Sequence, residues 1–181
     1  TEHLLACLYV LGVDNLDAHV SGPELPGMDG SALPFLLAVR KAGIVAQDED
    51  RASYRPTRDV VVDSAGDDVT LLAAPAGSGL TIGYTLDYGT PELPVSRLSM
   101  KIDAETFTKE IAPARTFCLE REAEALRQAG FGKGANTTNT LVVAADGEPI
   151  DNELRFPDEY ARHKMLYLLG DLFLLNADLK S

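Results

Sequence analysis

Two short groups of side chains in this sequence could carry chemistry. Glu2 and His3 stand side by side near its start, and His163, Tyr167 and Asp171 recur at four-residue intervals near its end. Neighbouring residues on a helix diverge by about 100°, so Glu2 and His3 cannot comfortably bind one metal together. A natural division gives the imidazole to a metal and leaves the carboxylate to take a proton from metal-bound water. The same pair also reads as an exposed N-terminal turn. A histidine and a carboxylate four residues apart make good zinc ligands, but the position four beyond His163 holds Tyr167. Asp171 lies about 12 Å along the axis from His163, too far to share a metal with it. Taken alone, His163, flanked by Arg162 and Lys164, reads as a surface histidine.

The remaining candidates are weaker. His19 sits in a strand-like alternation with Asp17 and has no partner at ligand spacing. Cys7, four residues beyond His3, could act as a soft ligand, but core burial on the first helix is the reading favoured for a free cysteine. The run Gly130-Phe131-Gly132-Lys133-Gly134-Ala135 resembles a phosphate loop, yet it lacks the Gly-Lys-Ser/Thr ending and fits a flexible connection better.

The elements that must position these groups belong to a foldable, acidic chain. Its 181 residues suffice for one large domain or two small ones, and 45% hydrophobic with 24% charged residues is a globular composition. A net charge of −12 repels polyanions, which argues against nucleic-acid binding and requires a local basic site for any anionic ligand. Two cysteines, Cys7 and Cys118, make no disulfide framework and suit a reducing compartment. No stretch approaches the roughly 18 to 20 apolar residues of a membrane span, so a cytoplasmic location is expected. The chain opens at Thr1 directly into a helical pattern and reads as a fragment or a processed product.

Leu4, Leu5, Leu8 and Leu11 predict a buried helix over Glu2 to Leu11, stopped by Gly12. Leu16 to Val20 reads as a short strand, a turn-rich run follows from Ser21 to Gly27, and Ser31 could cap a helix over Leu33 to Ala42. The polar run Asp48 to Pro56 is a candidate linker. Beyond it, Asp59–Asp63, Asp67–Ala73, Leu80–Asp87 and Leu98–Ile102 predict strands. Helices are expected over Ala104–Ile111 and Glu120–Gln128, a β-rich run over Leu141–Ala145, and a long final helix from Pro157 to Leu175.

Four ordered segments resemble the family of UDP-3-O-acyl-N-acetylglucosamine deacetylases. They are Glu2-His3-Leu4-Leu5-Ala6, Pro23-Glu24-Leu25-Pro26-Gly27-Met28-Asp29-Gly30-Ser31, Ala114-Arg115-Thr116-Phe117, and Leu154 to Glu159 leading into Arg162-His163-Lys164-Met165-Leu166 and Gly170-Asp171-Leu172. The resemblance runs through nearly the whole chain. It implies an α+β fold, a two-domain sandwich of β-sheets layered against helices with the active site between them. Residues 1–50 would be the C-terminal half of an incomplete first domain. Residues 51–181 would be the second, with an insertion near 118–147 forming an apolar acyl passage in which Leu119, Leu126 and Leu141 are candidates.

The implied reaction is Zn2+-assisted hydrolysis of the 2-acetamido group of UDP-3-O-[(R)-3-hydroxyacyl]-N-acetylglucosamine, in lipid A biosynthesis. Glu2 would be the general base and His3 and His163 zinc ligands, Thr116 would stabilise the tetrahedral intermediate, and Asp171 would join the catalytic set. Lys164, Phe117 and Glu122 would line the nucleotide-sugar, and Asp87 and Tyr88 would border the uridine. A monomer touching the membrane only peripherally, through its acyl substrate, is expected. Two departures stand out. Tyr167 occupies the place of the family's third zinc ligand, an Asp, and a neutral phenol with a pKa of about 10 is a poor substitute unless the metal drives its deprotonation. The family's segments before the Glu-His motif and its later Ser-Gly-His segment have no counterpart between Thr1 and Ser181. The competing readings are a non-catalytic relative that keeps the ligand pockets and, less favoured, a scaffold without a small-molecule site.

Overall fold

The computed structural model describes residues 1–64, 66, 68–128 and 134–181, apart from the side chains of residues 124, 126 and 127. Its longest helix organises the rest. That helix, α5 (Glu159–Phe173), turns Met165, Leu166 and Leu169 into one buried cluster and Tyr160 and Ala161 into a second. His163 falls between the two sets on the same helix.

The first cluster is filled from three sides. Helix α1 (Glu2–Leu11) supplies Ala6, Cys7 and Tyr9, and α2 (Leu33–Ala42) supplies Phe35 and Leu36. Helix α1 ends where expected, at Gly12, whose positive φ of 67° suits a residue without a Cβ. Ser31 lies just outside α2, and its hydroxyl accepts from Leu33 N at 3.3 Å, so it satisfies a first-turn amide next to Pro34. The third side is an antiparallel pair, β4 (Leu80–Leu86) and β5 (Ser96–Ile102), in register from Leu80 opposite Ile102 to Leu86 opposite Ser96. Strict alternation puts Leu80, Ile82 and Leu86 inward.

Smaller pieces complete the fold. Strand β1 (Ser53–Tyr54) pairs in parallel with β8 (Asp178–Leu179), and β2 (Val60–Ser64) pairs antiparallel with β3 (Val69–Ala73). A single turn, α3 (Ala104–Thr106), continues as a π-helical turn over Phe107–Ile111, capped by Asp103, which accepts from the amides of Glu105 and Thr106. Strand β6 (Phe117–Leu119) leads into α4 (Glu120–Gln128) and pairs in parallel with β7 (Leu141–Val143).

The predicted helices over Glu2–Leu11, Leu33–Ala42 and Glu120–Gln128 have the expected bounds. Leu16 to Val20 is not a strand, and Leu16 and Val20 are both exposed. Alternation proposes a strand, but a strand persists only where a neighbour takes up its amides. The polar run Asp48 to Pro56 contains β1, tied through β8 to the end of the chain. Arg51, within that run, pairs with Asp14 and Asp178 at 3.1 Å each and lies over the Tyr9 ring.

Candidate active site

Glu2 and His3 occupy the first turn of α1, where α1 crosses α5. The crossing is close because position 170 is glycine: a Cβ there would sit 2.6 Å from the Glu2 carbonyl oxygen. Glycine in a helix interior costs about 1 kcal/mol relative to alanine, so its presence in α5 marks a place where another backbone must approach. His3 is thereby brought to His163, with ring centroids 5.0 Å apart, and the Glu2 carboxylate lies 3.9 Å from His3 Nδ1.

His163 is not a surface histidine. It is 1% exposed, and its Nδ1–H donates to the Ala114 carbonyl at 2.9 Å. That bond selects the tautomer that leaves Nε2 with a free lone pair. Nε2 of His163 and Nε2 of His3 are both buried without a hydrogen-bond partner. A buried polar ring nitrogen without a partner is costly, and two of them on neighbouring rings match the chemistry of a divalent metal site. A ligating histidine commonly donates its other ring N–H to a backbone carbonyl, as His163 does. Among the described residues, however, no group of three or more His, Cys, Asp or Glu is placed to hold a metal.

Tyr167 fills the third side. Its ring meets His163 at 4.7 Å and His3 at 5.8 Å between centroids, and its hydroxyl lies 3.5 Å from Thr116 Oγ1. Thr116 is fixed by its backbone, its N–H donating to Gly30 O at 2.8 Å and its carbonyl accepting from Leu141 N at 2.9 Å. The loop carrying Gly30 packs just as tightly, since a Cβ on Gly30 would fall 1.9 Å from the Asn139 carbonyl oxygen. Asp29 next to it accepts from Ser31 N and Oγ and from Arg155 Nη2, and these bonds outweigh its burial and hold its carboxyl below the usual range.

The titration of the cluster follows from its burial. Loss of water, reinforced by the neighbouring His3 and only partly offset by the Ala114 bond, pushes His163 down to about 3. His3 is also lowered by burial, against the pull of Glu2. Burial opposes ionisation of Glu2, while a hydrogen bond from its own backbone N–H and the neighbouring His3 favour it. Tyr167 is raised, chiefly by burial and further by Glu2. In the metal-free chain at neutral pH the site therefore holds two neutral imidazoles, a carboxylate and a neutral phenol.

A second group of predicted residues lies alongside. The Lys164 ammonium sits 5.9 Å from the ring centroid of Tyr88, 5.6 Å from that of Phe117 and 5.2 Å from that of Tyr167. Three aromatic faces hold one cation beside the histidine pair. Asp87 is exposed, its carboxylate occupied by the Gly89 amide at 2.9 Å. Glu122 is exposed on α4, and Asp171 is exposed next to Gly170. Leu119 and Leu141 are buried in the second cluster; the Leu126 side chain and the run Gly130 to Lys133 lie outside the described residues.

The matched family model is the UDP-3-O-acyl N-acetylglycosamine deacetylase model, and it covers residues 1–181. The chain belongs to this deacetylase family. Its mixed helices and small sheets are consistent with the fold of that family, as a partial domain. Similar curated proteins carry the name UDP-3-O-acyl-N-acetylglucosamine deacetylase. The Anaeromyxobacter sp. (strain Fw109-5) protein is 37% identical over 177 residues, covering 96% of this chain and 56% of the relative. The Stenotrophomonas maltophilia (strain K279a) protein is 38% identical over 175 residues, with 96% and 57% covered. The Phenylobacterium zucineum (strain HLK1) protein is 38% identical over 178 residues, with 97% and 59% covered. The chain thus spans little more than half the length of these relatives. No described helix is long and apolar enough to cross a membrane.

Residue spacing gives no role to Gly170, the Ala114 carbonyl, Arg115 or Glu159. A glycine inside a strongly helical pattern is the signal for the first. The others act through backbone atoms or long-range pairing, which spacing does not reveal.

Proposed function

We propose that the protein is a zinc-dependent deacetylase that removes the acetyl group from the 2-acetamido position of UDP-3-O-[(R)-3-hydroxyacyl]-N-acetylglucosamine, a step of lipid A biosynthesis. The observation that carries this reading is the pair of buried, unpartnered Nε2 atoms on His3 and His163, with the Glu2 carboxylate beside them. His3 and His163 would hold Zn2+, with Tyr167 at the position of the third ligand. When bound, zinc polarises the amide carbonyl and lowers the pKa of its water.

The chain's own groups supply the rest. Glu2, whose carboxylate lies 3.9 Å from His3 Nδ1, would accept the proton of the attacking water. Thr116 presents a hydroxyl from a backbone pinned on both sides, so it can donate to a developing oxyanion without reorganising. Lys164 in its aromatic frame gives an otherwise acidic chain the local positive charge that a nucleoside-diphosphate sugar requires, with Phe117 and Tyr88 offering stacking faces. Zinc titration of the histidine-labelled chain, followed by ring ¹⁵N resonances, tests the site. His3 and His163 are expected to shift together at their Nε2 nitrogens, and no shift at saturating zinc would sink the reading.

One observation favours a second reading. With Tyr167 in place of a carboxylate, the ligand set is short by one anionic group, which suits a relative that binds the nucleotide-sugar without cleaving it. Binding of the substrate without release of its free amine, together with deacetylation gained on Tyr167→Asp, would select that reading.

A further inference from the structure

Helix α5 holds a second buried polar group one turn before His163. Glu159 is fully buried, and its two carboxylate oxygens accept four hydrogen bonds. Oε1 accepts from Arg115 N at 2.9 Å and Arg115 Nε at 2.8 Å; Oε2 accepts from Arg115 Nη2 at 3.2 Å and Arg155 N at 2.6 Å. Arg115, 5% exposed, is held in turn by Asn152 Oδ1 and the Glu153 carbonyl. A fully paired network of this kind costs desolvation and gives geometric definition in return.

The geometry shows what is being defined. The N–H that Glu159 accepts and the carbonyl that His163 Nδ1–H donates to belong to a single peptide unit, the bond between Ala114 and Arg115. A peptide unit is planar, so gripping its N–H fixes the direction of its C=O. Residues 159 and 163 are four apart and share a helix face, which lets α5 clamp both ends of that plane.

We infer that Glu159, with Arg115, is a positioning residue that sets the tautomer of His163 by fixing the Ala114–Arg115 peptide plane. The consequence for metal binding rests on the deacetylase reading; the tautomer itself does not. Without the clamp, the carbonyl is free to rotate away and Nε2–H, which competes with ligation, becomes available to the ring. Glu159→Gln weakens the clamp at constant size, because one side-chain oxygen becomes an N–H₂ facing N–H donors and the oxygen that remains for the Arg115 N–H loses its charge.

The test is a long-range ¹H–¹⁵N spectrum of the metal-free, histidine-labelled 181-residue chain, with His163 assigned through His163→Gln. The expected result for Glu159→Gln is a fall of about fivefold in the ratio of Nδ1–H to Nε2–H at His163, the size of one ordinary hydrogen bond. Leu80→Ala, a truncation of a buried β4 side chain in the first cluster, should lower thermal stability while leaving that ratio unchanged. If Glu159→Gln does not fold, Asn152→Ala loosens Arg115 while leaving the ion pair in place, and a shift of about twofold is expected. A folded variant with the wild-type ratio, whatever its melting temperature, overturns the inference. A chain that shows the shift but never binds zinc sinks the deacetylase reading alone.

Discussion

On the proposed zinc reading, replacing Tyr167 by Asp should strengthen metal binding at His3 and His163. The phenol must lose its proton to act as an anionic ligand, and burial pushes its pKa above the ordinary value. From a pKa of about 10, deprotonation at pH ~7 costs at least ~4 kcal/mol. An aspartate arrives ionised and, one turn from His163, lies on the same helix face. Some of that advantage is lost because the new carboxylate is partly buried near Glu2, so a net gain of about 2 to 3 kcal/mol, or roughly 30- to 150-fold in zinc affinity, is expected. The metal-free variant should pay for it: it loses the ring that packs against both histidines at 4.7 and 5.8 Å. A destabilisation of about 2 kcal/mol without metal follows. Competition titration against a chromogenic chelator at fixed pH and ionic strength measures the first quantity, and thermal melts with and without zinc measure the second. Zinc affinities of the two chains within about threefold of each other would refute the reasoning, because the missing anionic ligand would then not limit the site.

Gly170→Ala should destabilise the chain by about 2 kcal/mol and separate His3 from His163, since its Cβ would meet the Glu2 backbone at 2.6 Å. Chemical denaturation reads the first effect; loss of the His3 to His163 ring contacts in nuclear Overhauser spectra reads the second. Gly30→Ala should be worse, at about 3 kcal/mol or more, because the position combines a φ of 82° with a 1.9 Å approach to the Asn139 carbonyl. Normal stability in urea melts would show that the loop relaxes freely. In the metal-free chain, His163 titrates at about 3 when folded and near its ordinary value when unfolded, so the unfolded chain takes up a proton that the folded one refuses. Stability is therefore fully present above pH ~6.5 and falls by up to about 1.4 kcal/mol for each unit below it, toward pH ~3. His3, lowered in the same direction, adds to the slope. Urea stability measured across this window should show a shallower slope in His163→Asn, and an unchanged slope would remove His163 as its source.

Much of this protein is legible in its residues. Apolar spacing gives α1 and α2 their bounds, because a ten-residue amphipathic stretch ended by glycine has few alternatives. Alternation finds β4 and β5 for the same reason. It fails at Leu16 to Val20, where no described strand lies alongside, and it passes over β1, β6 and β8, which are two or three residues long and exist only through partners elsewhere in the chain. The four motifs name the chemistry-bearing types, and the substitution at Tyr167 is visible without any structure.

What only the tertiary structure decides is the state of those groups. His3 is 160 residues from His163, and the contact between them depends on a glycine narrow enough to let α1 lie on α5. His163 reads as a surface residue among Arg162 and Lys164, yet it is 1% exposed because both neighbours point off the buried face that helical geometry assigns to residue 163. Its free Nε2 comes from a peptide carbonyl 49 residues away, held by a carboxylate one turn up the same helix. Residue types determine which chemistry is available; burial and long-range hydrogen bonds, which no local pattern encodes, determine the protonation state and direction in which each group meets it.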